Sequence, residues 1–138
     1  MKPEIPAEFA EFAERHKKNK GMCNLELKEE IDAFENPLET ELLRIYIDKE
    51  TIITKSASLE NDFPITQDYG TSKEPPSTPG AIPDIVDFEK ILCFGTSGDG
   101  ASFCFDLRQT PPSIIWWNDD HWRILANNFK DFIALFYE

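Results

Sequence analysis

The feature that most constrains the fold of this chain is the glycine-rich stretch at residues 91–108, ILCFGTSGDGASFCFDLR. A phosphate-binding loop would need a helix after its glycines, because the helix N-terminus holds the phosphate. Residues 101–107 instead alternate between apolar and polar side chains, which is the period of a half-buried strand. The loop also contains no Lys, and Asp99 would repel a phosphate. The stretch therefore predicts a β-hairpin, with glycines supplying the positive φ angles of its turn.

The remaining periodicities predict helices before and after this hairpin, together with further strands. Helices are predicted at residues 6–20, 48–59 and from 127 or 128 to the end, and strands at 42–47, 113–117 and 122–125. Asp48 is a candidate cap for the second helix. Residues 24–34 fit a strand edge or a short helix equally well. Residues 61–84 hold five Pro and two Gly, which predicts a long loop, ordered in part by the apolar residues Phe63, Ile65, Tyr69 and Ile82.

The helical stripes and the cysteines predict a packed core. Phe9 and Phe12 fall on one face of the first helix, and the last helix carries a stripe that must be buried: Phe129, Phe132, Ile133 and Phe136. The three cysteines show no C-x-x-C spacing, so neither a disulfide framework nor a zinc site is predicted. Cys93 and Cys104 are interpreted as buried, inert thiols.

Length and hydropathy favour one soluble domain. The 138 residues suit a single domain spanning 1–138, with 41% hydrophobic residues available for its core. No apolar run approaches the ~20 residues that cross a bilayer, and the N-terminus does not resemble a signal peptide. We therefore expect a cytoplasmic protein without membrane contact, and no cofactor or metal is expected.

The charge is strongly negative and unevenly distributed. The formal net charge is −12, and residues 22–88, with fifteen acidic and five basic groups, account for −10 of it. Such a balance argues against direct nucleic-acid binding, which needs a basic surface to neutralise phosphates. It permits a cationic protein partner docked on residues 22–88, although acidity that serves solubility alone is the plainer interpretation.

Two groups of residues are candidates for a functional site. Trp116 and Trp117 point to opposite faces of a predicted strand, so both are buried only if both faces are covered. An exposed Trp beside acids suits a protein interface, so we assign a partner-binding role to Trp116, Trp117, Asp119, Asp120 and Asp99. The less favoured alternative is a small hydrolase using the turn Asp119-Asp120-His121, in which a carboxylate and an imidazole share a proton or a metal.

Several of these motifs resemble one known family. The chain is similar to the Smi–Knr type family, also called the SUKH superfamily, in four stretches. They are the early IPAEFAEF…NKG, the hairpin FGTSGDGASFCFDL, the strand PPSIIWW and the closing WRILANNFKDFIALF. The resemblance implies an α+β fold with a curved, mostly antiparallel sheet flanked by helices. It also implies protein binding rather than catalysis. Many bacterial members are regarded as immunity proteins that neutralise toxins, often nucleases, and in fungi the resembling domain belongs to a regulator of cell-wall synthesis.

The resemblance and the charge together favour a non-catalytic module that neutralises a toxin. A scaffold or regulator of cell-envelope synthesis is the alternative within the same family.

Overall fold

The computed structural model describes residues 5–59, 80–82, 85, 88–118 and 121–137. Within these residues the elements are α1 (Ala7–Arg15), a 3₁₀ turn (Lys17–Asn19), β1 (Met22–Glu26), β2 (Glu41–Ile45), α2 (Lys49–Ala57), β3 (Ile91–Thr96), β4 (Ser102–Asp106), β5 (Ser113–Asn118), β6 (His121–Ala126) and α3 (Phe129–Ile133). The six strands form one antiparallel sheet in the order β1 to β6. The predicted α+β class with an antiparallel sheet and flanking helices is confirmed.

The first and last helices cover one face of the sheet. Phe9 of α1 makes edge-to-face ring contacts with Phe94, Phe105 and Phe129, with centroids 5.3–5.5 Å apart. α3 begins after Asn128, whose side chain accepts a hydrogen bond from the Asp131 N–H, 2.8 Å away. All four predicted stripe residues of the last segment are buried: Phe129, Phe132, Ile133 and Phe136. The main core therefore lies between these helices and the sheet.

The opposite face of the sheet is also covered, which corrects the expectation of a half-buried strand at residues 101–107. Asp106 is only 3% exposed, although the alternation places it on the polar face of that strand, and Cys104 on the same face is fully buried in a second apolar cluster. Cys93 lies directly opposite Cys104 in the sheet and belongs to the same cluster. The predicted burial of these two cysteines is confirmed.

The glycine-rich hairpin is confirmed, but its glycines have different roles from those expected. Gly100, at φ +87°, is the turn glycine. Gly95 lies inside β3, where a Cβ atom would come within 2.4 Å of the Arg44 carbonyl oxygen. It is therefore required for close approach of β2 and β3, a role that alternation alone does not reveal.

Other local predictions need small corrections. The first helix ends at Arg15 rather than near residue 20, because the chain tightens into the 3₁₀ turn. Residues 24–34 contribute to strand β1 and a following loop, not to a helix. The cap at Asp48 is confirmed, since its carboxylate accepts the Thr51 N–H at 2.8 Å. Ile82 is partly buried, and the rest of the predicted loop ordering falls outside the described residues.

Other parts of the chain pair with the end of β1 and with β6, the two edge strands of the sheet. The N–H of Tyr137 donates to the carbonyl of Glu26, the last residue of β1, and the N–H of Ile82 donates to the Trp122 carbonyl in β6. An exposed edge is a template for pairing with another chain, so these contacts shorten the open row of backbone groups at each edge.

Candidate functional site

The structure separates the two tryptophans of β5. Trp116 is 5% exposed and stacks on Phe103 within the main core, with ring centroids 6.1 Å apart. Trp117 is partly exposed and packs on the other face, where its ring meets Trp122 edge-on at 5.4 Å. The expected division of this pair between two faces is confirmed.

A cleft of about 670 Å³ brings together three of the candidate residues. It is bordered by residues 37–39, by hairpin residues 99–101, and by 116, 117 and 123 on the two strands. We call it the tryptophan cleft. Trp116, Trp117 and Asp99 thus share a site. Asp119 and Asp120 lie outside the described residues.

One wall of the tryptophan cleft rests on a buried ion pair. Arg123 lies directly across from Trp116 in the sheet, and its Nη2 donates to Asp32 Oδ2 at 2.8 Å and to the Pro37 carbonyl at 2.6 Å. Asp32 in turn accepts the backbone N–H groups of Phe34 and Asn36. This pair therefore fixes the loop between β1 and β2 against β6, and places Leu38 and Glu39 beside the cleft.

Two buried donors that border the cleft lack acceptors within the described part of the chain. They are Trp116 Nε1 and Arg123 Nε, on residues only 5% and 4% exposed. Buried polar groups in folded proteins are nearly always hydrogen-bonded, because an unmade bond costs about 1–3 kcal/mol. Both atoms are themselves almost fully buried, so they belong to the packing behind the wall of the cleft and a ligand in the cleft does not reach them.

A second cleft of about 700 Å³ adjoins the first and is acidic. Its lining includes four glutamates, Glu26, Glu30, Glu39 and Glu41, and Glu39 borders both clefts. We call it the acidic cleft. Glu41 also accepts the Gly98 N–H at 2.8 Å, which ties the β3–β4 hairpin to β2.

Glu26 and Glu41 are direct cross-strand neighbours in the pairing of β1 with β2. Like charges at such positions destabilise a sheet by repulsion. The acidic cleft therefore retains negative charge at some cost to the fold.

The three thiols lie in different surroundings. Burial raises the pKa of Cys23 to about 12 and also raises the pKa of Cys104. A nucleophilic cysteine needs the opposite shift, since the thiolate is the reactive form. Cys93 shows that shift, because a hydrogen bond with the Cys104 thiol lowers its pKa, but its side chain is buried. Their inertness in solution is still a prediction.

The hydrolase alternative receives no support from the described side chains. His121 begins β6 and is 6% exposed, and neither the tryptophan cleft nor the acidic cleft includes it. Within the described ranges no three His, Cys, Asp or Glu side chains converge as metal ligands. In the same ranges no helix is long and apolar enough to cross a membrane.

Sequence reasoning missed Glu39, Asp32 and Arg123. Arg123 carried one available signal, because a lone cation in the apolar strand WRIL implies a buried counter-ion. No local pattern identifies that partner, since Asp32 is 91 residues away.

Comparison with known proteins gives one family. The family model of the SMI1 / KNR4 family (SUKH-1) matches residues 4–135, nearly the whole chain. No curated protein and no solved structure gives a significant match.

Proposed function

Because this chain belongs to the SMI1 / KNR4 family (SUKH-1), which consists of immunity- or regulator-type modules, we propose that it is a non-catalytic, cytoplasmic immunity protein. Its partner is a cationic protein toxin, which it neutralises by docking across the tryptophan cleft and the acidic cleft. A nuclease is the toxin class that fits best, because an enzyme that binds nucleic acid presents a basic surface to the phosphates.

The observation that carries this proposal is the charge of the two clefts. Five carboxylates border them: Glu26, Glu30, Glu39, Glu41 and Asp99. Among their described lining residues the one cation is Arg123, and Asp32 already neutralises it. A basic partner would therefore meet an uncompensated negative surface.

The cross-strand pair of Glu26 and Glu41 supports a role beyond solubility. Charges that serve only solubility can be placed anywhere on the surface, whereas these two are held where they repel each other. A bound cation removes that repulsion, so binding and relief of strain act in the same direction.

The covered sheet edges favour docking through side chains. Strand addition requires an open row of backbone groups, and segments of this chain already pair beside β1 and β6. Electrostatic attraction to the clefts would instead accelerate encounter, typically by 10–10³-fold at low salt.

The first test is functional. The tagged protein captures partners from its source cell, mass spectrometry identifies them, and each captured protein is expressed with and without this chain. We expect a basic toxin whose growth arrest is relieved by co-expression. Capture of envelope-synthesis proteins, with no toxin relieved, would favour the regulator alternative and contradict the immunity role.

The second test is kinetic and uses matched charge variants. The triple variant Glu26→Gln, Glu30→Gln, Glu39→Gln removes three charges from the clefts. The control Glu8→Gln, Glu11→Gln, Glu14→Gln removes three exposed charges from α1, none of which lines either cleft. At low salt we expect the association rate to fall about tenfold or more for the cleft variant and less than about twofold for the control. Equal effects of both triples would show that only net charge matters.

A further inference from the structure

We infer that Cys93 and Cys104 form a redox-sensitive modification site, in which hydrogen peroxide joins the two thiols into a disulfide between β3 and β4. The two residues pair directly with each other in the antiparallel sheet, and both are free thiols in this structure. The inference goes beyond the proposed function, because it depends on no protein partner.

The register of β3 with β4 places the two cysteines in a non-hydrogen-bonded pair. The N–H of Leu107 donates to the Lys90 carbonyl at 2.8 Å, so these two residues form a hydrogen-bonded pair. The two kinds of pair alternate along an antiparallel ladder, and Cys93 with Cys104 is the third pair from there. The Cys93 N–H accordingly points away from β4 and donates to Ser56 Oγ at 2.8 Å.

This type of pair brings two cysteines within reach of a disulfide. The Cα atoms of a non-hydrogen-bonded pair are about 4.5 Å apart, and disulfides span Cα separations of about 4.4–6.8 Å. The two thiols already contact each other through a hydrogen bond. Closing the bond therefore requires little movement of the backbone.

The surroundings give the two sulfur atoms different roles. The hydrogen bond with the Cys104 thiol lowers the pKa of Cys93, whereas burial raises the pKa of Cys104. Cys93 is therefore the thiol that attacks the oxidant, because the thiolate is the nucleophile. Cys104 is the thiol that completes the disulfide.

The reaction consumes one hydrogen peroxide. The Cys93 thiolate attacks one peroxide oxygen, the O–O bond breaks, and the other oxygen leaves as hydroxide, which takes up the thiol proton to form water. The Cys104 sulfur then attacks the sulfenic sulfur of Cys93, the S–O bond breaks, and the hydroxyl group leaves as water with the Cys104 proton. Two thiols lose two electrons and two protons in total, and the peroxide is reduced to two water molecules.

Peroxide reaches this buried pair through local opening of α2. Cys93 is 2% exposed and Cys104 is fully buried, and α2 lies beside β3 at the contact of Ser56 with Cys93. Ile52 is the one buried residue of α2, so few contacts hold this helix in place. Segments with few buried contacts open at a much lower free energy than the whole domain unfolds. Hydrogen peroxide is nearly as small as water, so such an opening is sufficient.

The disulfide would affect the tryptophan cleft. It closes residues 94–103 into a loop, and this loop contains hairpin residues 99–101 at the border of the cleft. A disulfide removes conformational freedom from the loop that it closes. Oxidation would therefore restrict the hairpin on one side of the cleft.

The test uses the position of both cysteines in one tryptic peptide. Trypsin cleaves after Lys90 and Arg108, so the pair lies in peptide 91–108, whereas Cys23 lies in another peptide. The native full chain is treated with hydrogen peroxide, catalase removes the excess, and remaining thiols are alkylated with iodoacetamide in denaturant before digestion. We expect mass spectrometry to show peptide 91–108 two hydrogen atoms lighter than its dithiol form and without label, while Cys23 carries the label.

Matched variants test the roles of the two thiols and the route of the oxidant. Cys104→Ser should leave Cys93 as a sulfenic acid that dimedone traps, whereas Cys23→Ser should leave disulfide formation unchanged. Ile52→Ala should accelerate disulfide formation about tenfold or more by easing the opening of α2. Ile53→Ala, at a side chain that is 43% exposed on the same helix, should change the rate less than about twofold. If Cys104→Ser does not fold, the unmodified chain and the two isoleucine variants carry the comparison.

Three results would overturn the inference. They are alkylation of both thiols of peptide 91–108 after peroxide treatment, which would bear out their predicted inertness, a sulfinic or sulfonic acid on Cys93 in place of the disulfide, and a disulfide to Cys23 in its place. Equal rates for Ile52→Ala and Ile53→Ala would refute opening of α2 as the route. None of these results contradicts the proposed function, because toxin capture and the charge variants do not involve the thiols.

Discussion

Replacing Asp32 with Asn is expected to lower the free energy of unfolding by about 3–5 kcal/mol, because it leaves the buried Arg123 cation without its counter-ion. The two side chains are only 0% and 5% exposed, and their contact is 2.8 Å long. An exposed ion pair of the same length contributes at most about 1 kcal/mol. The measured loss therefore distinguishes a buried pair from an exposed one.

The choice of Asn confines the change to the atom of residue 32 that contacts Arg123. The Oδ1 atom of Asp32 accepts the N–H groups of Phe34 at 2.8 Å and Asn36 at 3.0 Å, and an Asn oxygen can keep both bonds. The amide group then faces the guanidinium, where donor meets donor. Since domains are stable by only about 5–15 kcal/mol, the expected loss is a large share of the total.

Urea denaturation followed by tryptophan fluorescence measures this loss, with the m value checked for constancy. Asp48→Asn is the matched control, since Asp48 is an exposed helix cap and Asn caps equally well, so a change below about 0.5 kcal/mol is expected. In the double variant Asp32→Asn, Arg123→Met the total loss should fall short of the sum of the single losses. A loss below 1 kcal/mol for Asp32→Asn at unchanged m would refute a buried, paired Arg123.

The remaining predictions concern the core, the sheet and the thiols. Phe132→Ala should cost about 3–5 kcal/mol in urea denaturation because the ring is fully buried, and a loss below 1 kcal/mol would show that α3 does not dock. Gly95→Ala should lower the free energy of unfolding by about 1–3 kcal/mol, since the new methyl group would lie 2.4 Å from the Arg44 carbonyl oxygen. Gly100→Asn, in the open turn, should lower it by less. The reverse order of the two losses would contradict the close approach of β2 and β3. With a pKa raised from 9.0 to about 12, Cys23 should be alkylated at pH 8 about 10²–10³-fold more slowly than a model thiol. The alkylation rate, followed by peptide-resolved mass spectrometry, should keep rising above pH 9. A plateau of the rate near pH 9 would exclude the raised pKa.

Local patterns in the sequence were sufficient for most of the helices and strands, but not for β1 or for the end of α1 at Arg15. Three of these patterns depend only on neighbours within a few positions. They are the alternation of apolar and polar side chains at residues 101–107, the turn at Gly100, and the apolar stripe from Phe129 to Phe136. Such patterns are visible in the chain because strand and helix periods repeat over short distances. The negative charge of residues 22–88 is likewise a property of composition alone.

The candidate site was only partly accessible from the sequence. Trp116, Trp117 and Asp99 were identified as interface candidates, and the fold places them around one cleft. No pattern in the sequence shows that Trp116 Nε1 and Arg123 Nε lack hydrogen-bond acceptors, or that Glu39 lies between two clefts. Both features follow from how distant segments pack together.

Only the tertiary structure decided which distant residues meet. The ion pair of Asp32 with Arg123 joins segments 91 residues apart, and the register of β1 with β2 sets Glu26 opposite Glu41. The cover on the second face of the sheet buries Asp106, against the alternation of its own strand. These outcomes depend on strand register and on what packs on each face, and both are set by contacts between segments far apart in sequence.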